Sequence, residues 1–309
     1  MKFDEGSFRD PAGKIFYHSD KVFRSINISG KERLKFLLKD DLFKKIQDEG
    51  YLVKSEILDE DSLNKLGFQK NELIINHQKI PYLAYPYEWS FSQLKAAALH
   101  HLDFHIYLLD HNATLIDASA YNIQFIGSKP LFIDILSIKE YEDGEYWKGH
   151  KQFCENFLNP LLLSSIKGVQ FNNWFKGNLE GINTNDLNNI LNFFDKFSYN
   201  VFVHVYLLNK FENKYKNQDK KIDFTLNRKF PKKNLISLLK QLKRFILKLK
   251  PKKITTVWEN YSVSNTYNDS EENEKAEVVK NFVDNNIFTK IIDLGCNDGF
   301  YSKIAISNN

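Results

Sequence analysis

The segment that most restricts how this chain can fold lies near its end: Lys290-Ile291-Ile292-Asp293-Leu294-Gly295-Cys296-Asn297-Asp298-Gly299. A short apolar run closing on an acid, followed by two glycines, predicts a buried parallel strand over Phe288 to Leu294. A tight turn and a helix starting near Tyr301 come next. Glycines at such a turn reach φ angles that other residues avoid and let the backbone approach a ligand closely. The free N–H groups of the helix N-terminus then face that ligand. This is the arrangement of a Rossmann-like nucleotide site. It is not the dinucleotide GxGxxG pattern, because Asn297 replaces the middle glycine and the acid precedes the first one. A generic strand-turn-helix in another α/β domain is the plain alternative.

The segment resembles motif I of the class I S-adenosylmethionine-dependent methyltransferases. That resemblance implies that Asp293, Gly295, Cys296 and Gly299 line the methionine and ribose part of the cofactor, with Asp298 adding a polar contact. Tyr261 and Tyr267, just upstream, would approach the same cofactor. The chain supplies only the first strand and the start of one helix of such a sheet. A parallel strand without neighbours leaves its ladder N–H and C=O groups unpaired. The expectation is therefore a truncated methyltransferase domain over residues 275–309, joined to the rest by a polar linker at 256–274.

A second constellation sits mid-chain. Asp117 and Asn122 fall in LIDASAYNI, and Asp134 ends the strand after a Gly127-Ser128-Lys129-Pro130 turn. The pattern resembles the catalytic loop of protein-kinase-like phosphotransferases, where an Asp orients the acceptor hydroxyl and an Asn and a further Asp hold Mg²⁺. Two oxygen ligands on adjacent strands suit a hard cation. The resemblance makes Asp117 catalytic and Asn122 and Asp134 metal ligands, with Mg-ATP as cofactor. Departures are visible too. Ile116 stands where kinases carry Arg, Ile135-Leu136 replaces Phe-Gly, and no glycine-rich phosphate loop or strand-3 lysine is evident. Arg24, with Glu32 as partner, is the candidate ion pair.

What surrounds the hairpin is consistent with this. Residues 1–80 read as a small α+β lobe. KIFYHSDKVFRSI alternates about a Ser19-Asp20 turn, as a hairpin does, and Lys31 to Gln47 has helical periodicity. YLVKSEIL and ELIINHQKI are strand candidates. Residues 81–255 read as a mainly helical lobe. Its aromatic turn, Pro81 to Trp89, precedes a helix from Phe91 to His111 that Ser90 and Gln93 can cap as a box. Further helices are built on FCENFLNPLLLSSI, NDLNNILNFFDKF and LISLLKQLKRFILKL.

RDPAGKIF, PYEWSFSQLKAAALHHLDF, LIDASAYNIQFIGSKPLFIDILS, WKGHKQFCENFLNPLLL and KGVQFNNWFKGNLEGI together resemble the long N-terminal region of bacterial nodulation-type class I methyltransferases. In that family motif I arrives near residue 300 and the methyltransferase domain continues well beyond it. The fold class implied is an α+β kinase-like region followed by the start of an α/β Rossmann-like domain. The activity implied is methyl transfer to a glycan or small-molecule acceptor. Phosphotransfer, or a truncated module that only binds, are the other readings.

Composition bears on what remains. With 309 residues, 42% hydrophobic and 15% aromatic, the chain is neither disordered nor disulfide-stapled, and its two cysteines are far apart. No apolar run approaches the roughly 20 residues of a spanning helix. The N-terminus MKFDEGSFRDPAGK carries acids and lacks the apolar core of a secretory signal, so a cytoplasmic protein is expected. The net charge is +4, and only five of 43 basic residues are Arg, which disfavours nucleic-acid binding. The basic, apolar-striped segment 232–253 could touch an anionic membrane, although a core-facing helix is the preferred reading. His101 and His105 share a helix face as a metal pair would, but semi-buried packing positions are favoured. His150 and Cys154 lie one turn apart without a third group to orient them. Tyr85, Tyr87 and Trp89 could stack a base or sugar or simply pack between lobes.

Overall fold

The computed structural model describes residues 2–9, 12–69, 73–216, 229–253 and 268–307. The chain divides into two compact units, residues 1–252 and 253–309. Tyr261, Tyr267 and most of the expected linker lie outside the described residues.

In the first unit, β1 (Lys2–Phe3), β2 (Gly13–His18), β3 (Lys21–Ile26), β4 (Ser55–Ile57) and β5 (Leu73–His77) make an antiparallel sheet of order β1-β2-β3-β5-β4. The β2–β3 hairpin closes on Ser19 and Asp20, both at positive φ, which matches the right-handed twist of the flanking strands. Its register puts Phe16 opposite Phe23, and the rings stack at 5.5 Å in a small cluster with Leu63 and Ile74. The expected single helix over 31–47 is two. Helix α1 (Ile28–Leu38) and helix α2 (Leu42–Asp48) are separated by Asp40 and Asp41 in the left-handed region, a conformation short polar side chains tolerate. A third helix that periodicity did not announce, α3 (Glu60–Lys65), starts where Asp59 accepts from the Ser62 N–H.

Ser90 and Gln93 form the expected capping box of α4 (Phe91–Asp110), which buries Leu94, Ala97, Ala98, His101, Leu102, His105 and Leu108. Two short antiparallel pairs follow: β6 (Ala113–Leu115) with β9 (Ile138–Glu140), and β7 (Ile123–Ile126) with β8 (Lys129–Phe132). Gly127, at φ 61°, turns the second pair. This interleaving sets loop 116–122 beside segment 133–137, with the Ile116 N–H donating to the Ser137 carbonyl. Hydrogen bonds from Val53 to the Phe132 carbonyl and from Phe132 to the Tyr51 carbonyl join the β8 end to the sheet-bearing part. One hydrophobic core runs from Ala12 to Ile246, so sheet and helices fold around a common interior.

The helices of the second half are less regular than periodicity suggests. His150–Phe153 passes into a π-helical stretch, Cys154–Leu158, then Asn159–Leu162 and a second π stretch, Leu163–Lys167. NDLNNILNFFDKF forms helix Thr184–Ile190 and then a 3₁₀ turn, Phe194–Phe197. Helix Lys232–Lys248 buries Leu235, Leu239, Leu242 and Ile246 along α4. The stripe that could have lain on a membrane is thus part of the core. Lys95 caps this helix through the Leu247 and Leu249 carbonyls. Among the described residues, no helix is long and apolar enough to cross a membrane.

In the second unit, helix Asp269–Asp284 opens on a capping box between Asn268 and Glu271, so residues 269–274 of the expected linker are helical. Helix Phe300–Ile306 follows the glycine turn, as expected. The strand expected over 288–294 is not formed: among the described residues 268–307 there is no β-strand, and Ile291, Ile292 and Leu294 are exposed. No neighbouring strand within 268–307 completes a ladder for these backbone groups.

Candidate functional site

The first unit gathers its charged groups where β3, α1 and loops 116–122 and 133–137 meet. Arg24, on β3 and 8% exposed, donates from Nη1 to Asp134 Oδ1 at 2.7 Å. The same carboxylate accepts the Leu136 N–H at 3.3 Å through Oδ1 and the Ser137 hydroxyl through Oδ2. Arg33, on α1, donates to the Leu136 carbonyl at 2.8 Å. Two of the five arginines therefore converge on Asp134-Ile135-Leu136, a use that suits a rigid, weakly hydrated guanidinium. The anticipated Arg24–Glu32 pair is not made. Glu32 points to the surface and pairs with Lys35 at 2.8 Å, while Arg24 pairs with Asp134.

Asp117 is held beside this pair. Its Oδ1 accepts the Ser119 N–H at 2.7 Å. Burial raises its pKa, as does the charge of Asp134, while the Ser119 N–H, Gln152 and Asn122 oppose the rise. The structure thus brings the three expected oxygen-bearing residues, Asp117, Asn122 and Asp134, to one place. The buried Asn122 NH₂ faces the Asp117 carboxylate. The loop is clamped from behind: Gln152 accepts the Ala118 N–H at 2.8 Å and Asn156 accepts the Ala120 N–H at 3.0 Å. Gly149 makes the clamp feasible, since a Cβ there would meet the Ala118 Cβ at 3.1 Å and the Trp147 indole nitrogen at 3.0 Å.

His101 and His105 do not form a metal pair. His101 Nε2 meets the Asp117 carbonyl at 3.4 Å and His105 Nε2 meets Thr114 Oγ1 at 2.8 Å. Both are fully buried, and His101 lies among Phe132, Trp147, Phe153 and Phe157. Burial pushes the His101 pKa down to about 4, so it serves the site as a neutral support. Sequence reasoning missed His77. It is buried on β5, hydrogen-bonded to Ser55 at 2.7 Å, and its pKa falls to about 4 through burial and the nearby Arg24. Tyr85 and Tyr87 stack at 5.4 Å at the edge of this region. Trp89 is buried, donating to the Ala84 carbonyl at 3.1 Å, and Gln124 on β7 bonds both backbone groups of Ala84.

In the second unit the glycine turn takes the expected conformation. Gly295, Asn297 and Gly299 have φ of 77°, 50° and 78°. Asp293 accepts from Ser302 at 2.5 Å, and Asp298 accepts the Phe300 N–H at 3.1 Å. Asp293, Cys296 and Asp298 border an open concavity that Phe282, Phe288 and Tyr301 also line.

No family model matches the chain. Nodulation protein NoeA of Rhizobium meliloti (strain 1021) is 40% identical to it over 307 residues, covering 98% of this chain. The chain spans 63% of the length of NoeA. This similarity supports the nodulation-type relationship, and the name NoeA specifies no chemistry. Two crystal structures of the Mycobacterium tuberculosis PknI kinase domain also align, with TM-scores of 0.24 and 0.25 at 9% and 8% identity. They cover 40% and 43% of this chain and 54% and 55% of theirs, and scores this low assign no fold.

Proposed function

We propose that the first unit binds a Mg-nucleotide and transfers its terminal phosphoryl group to an acceptor hydroxyl. The observation that carries this reading is the convergence of Asp117, Asn122 and Asp134 with the buried Arg24. The donor set suits Mg²⁺: a carboxylate and an amide oxygen are hard ligands, and a cation would relieve the charge that Asp134 imposes on Asp117. Asn122 and Asp134 would hold the ion, which when bound would neutralise phosphate charge. Asp117 would orient the acceptor hydroxyl and receive its proton as the new P–O bond forms and the nucleoside diphosphate leaves. Arg24, released from Asp134, would take phosphate oxygens.

A thermal-shift assay on the chain with Mg-ATP tests this. A ligand at a hundred times its Kd stabilises the native state by about 2.7 kcal/mol. The expected result is a shift of roughly 5–10 °C that Asp134→Asn abolishes. No shift at millimolar Mg-ATP would overturn the reading.

A second reading rests on a separate observation. The left-handed Gly295 and Gly299, beside an open concavity that Asp293 and Asp298 border, support S-adenosylmethionine binding by the second unit, for methyl transfer to a glycan or small-molecule acceptor. Asp293, Gly295, Cys296, Asp298 and Gly299 would contact the cofactor. An S-adenosylmethionine arm in the same assay, lost in Asp293→Ala, would support it, and silence in that arm would remove it.

A further inference from the structure

His150 and Cys154, one helical turn apart, gain a third neighbour that the sequence did not disclose. His204 arrives from a segment about fifty residues later, with Nδ1 3.0 Å from His150 Nε2. Cys154 Sγ lies 3.7 Å from the same His150 nitrogen, and the three donor atoms all fall within 4.8 Å of one another. Cys154 and His204 are buried at 0% and 1% exposure. Two of the residues sit in π-helical turns, Cys154–Leu158 and Phe202–Leu207. Such turns alter which side chains face inward and recur at functional sites.

We propose that His150, Cys154 and His204 form a zinc site that fastens the Phe202–Leu207 segment to the helix supporting loop 117–122. The spacing fits the chemistry. A tetrahedral zinc with Zn–N of about 2.0–2.1 Å and Zn–S of about 2.3 Å places its ligand atoms roughly 3.3–3.6 Å apart. The observed 3.0 and 3.7 Å bracket that range, so small side-chain movements would admit the ion. An imidazole–imidazole–thiolate set is soft enough to favour zinc over magnesium or calcium. Burial keeps both imidazoles neutral, the form in which they coordinate. The thiol is protonated before the ion arrives, and its proton passes to solvent as the zinc–thiolate bond forms. Three ligands leave one tetrahedral position for a further donor.

The site would act as a positioning device. His150 and Gln152 share the helix that clamps Ala118, and Asn156 on the next turn clamps Ala120. Zinc would therefore stiffen the support of the proposed phosphotransfer loop without touching substrate. The proposal stands independently of that reading, because its test reads metal.

The experiment is metal analysis of the purified full chain, followed by cobalt(II) titration of metal-stripped protein. About one zinc per chain is expected, with cobalt producing a near-ultraviolet thiolate charge-transfer band that saturates at one equivalent. Cys154→Ser should lose the band, His204→Ala should lose stoichiometric binding, and Cys296→Ser should change neither. A chain shown folded by circular dichroism that carries no zinc and yields no band would overturn the proposal. So would a band that survives Cys154→Ser. If the variants fail to fold, the cobalt titration of the unsubstituted chain still decides.

Discussion

The mid-chain hairpin and the C-terminal glycine turn both read as chemistry from the sequence, yet the structure treats them differently. The hairpin is enclosed. Arg24 reaches it from β3, Arg33 from α1, and Gln152 and Asn156 from a later helix. The glycine turn keeps its local φ angles but lies exposed, with the preceding apolar run unpaired and Leu294 at 90% exposure. The lesson is physical. A turn's backbone conformation is set by the few residues within it, whereas a strand or a charged cluster needs partners distant in sequence. Local motif specificity and structural support are separate quantities, and the more specific motif here is the less supported.

Removing the Arg24–Asp134 pair should separate the two regions most strongly. Breaking a buried ion pair by deleting one partner costs about 3–5 kcal/mol, and here Asp134 is partly accessible, so the lower end is expected. Asp134→Ala should lower the denaturation midpoint of the first unit accordingly. The double variant Arg24→Met/Asp134→Leu should lose less than the two single changes added together, because no charge is left unpaired. Additive losses would mean that the pair contributes nothing as a pair. Aspartate variants in the glycine turn should leave this transition unmoved.

A pH experiment sharpens the same contrast. His77 and His101 have pKa values near 4 in the fold, below the ordinary 6.5, because burial disfavours the imidazolium. Between those values the unfolded chain binds more protons than the native one, so stability must rise with pH across that window. Asp117 acts in the opposite sense. Its raised pKa means that stability from the protonated carboxyl is present below the ordinary carboxylate range and lost as pH rises above it. Urea melts at pH 4.5 and 6.5 should show the first unit weaker in acid, and His101→Leu should narrow the gap. An unchanged gap would remove His101 as a source of acid lability.

Much of the scaffold was legible, for reasons that can be named. The Ser19-Asp20 hairpin, the Ser90/Gln93 box and the two-stranded turn at Gly127 follow from short-range chemistry, and each is formed. What escaped was set at long range. Periodicity runs unbroken over residues 31–47, and nothing in it reveals that Asp40 and Asp41 adopt left-handed angles between two helices. Glu32 was a reasonable partner for Arg24 by sign and spacing, yet it faces solvent, and the arginine finds Asp134 across 110 residues. His204 joins His150 across 54 residues, and Cys154 and His204 both lie in π-helical turns. A π turn has no sequence signature of the kind a cap or a hairpin carries.

Two glycine substitutions complete the comparison on a smaller scale. At Gly149 the backbone is ordinary but the space is filled, so Gly149→Ala must push Trp147 or the Ala118 loop aside. Overpacking of that kind costs about 1–3 kcal/mol and should weaken Mg-ATP stabilisation along with the fold. At Gly295 the opposite holds: an added Cβ meets nothing within 4 Å, and the penalty comes from the left-handed φ alone. Gly295→Ala should cost about 1–2 kcal/mol, confined to the second unit, with the main transition unchanged. Hydrogen exchange resolves the two cases. The expected pattern is faster exchange in helix Phe300–Ile306 for Gly295→Ala, and faster exchange in loop 117–122 for Gly149→Ala. If Gly295→Ala instead loosened that loop, the glycine turn would be coupled to the first unit, and the contrast between an enclosed site and an exposed one would fail.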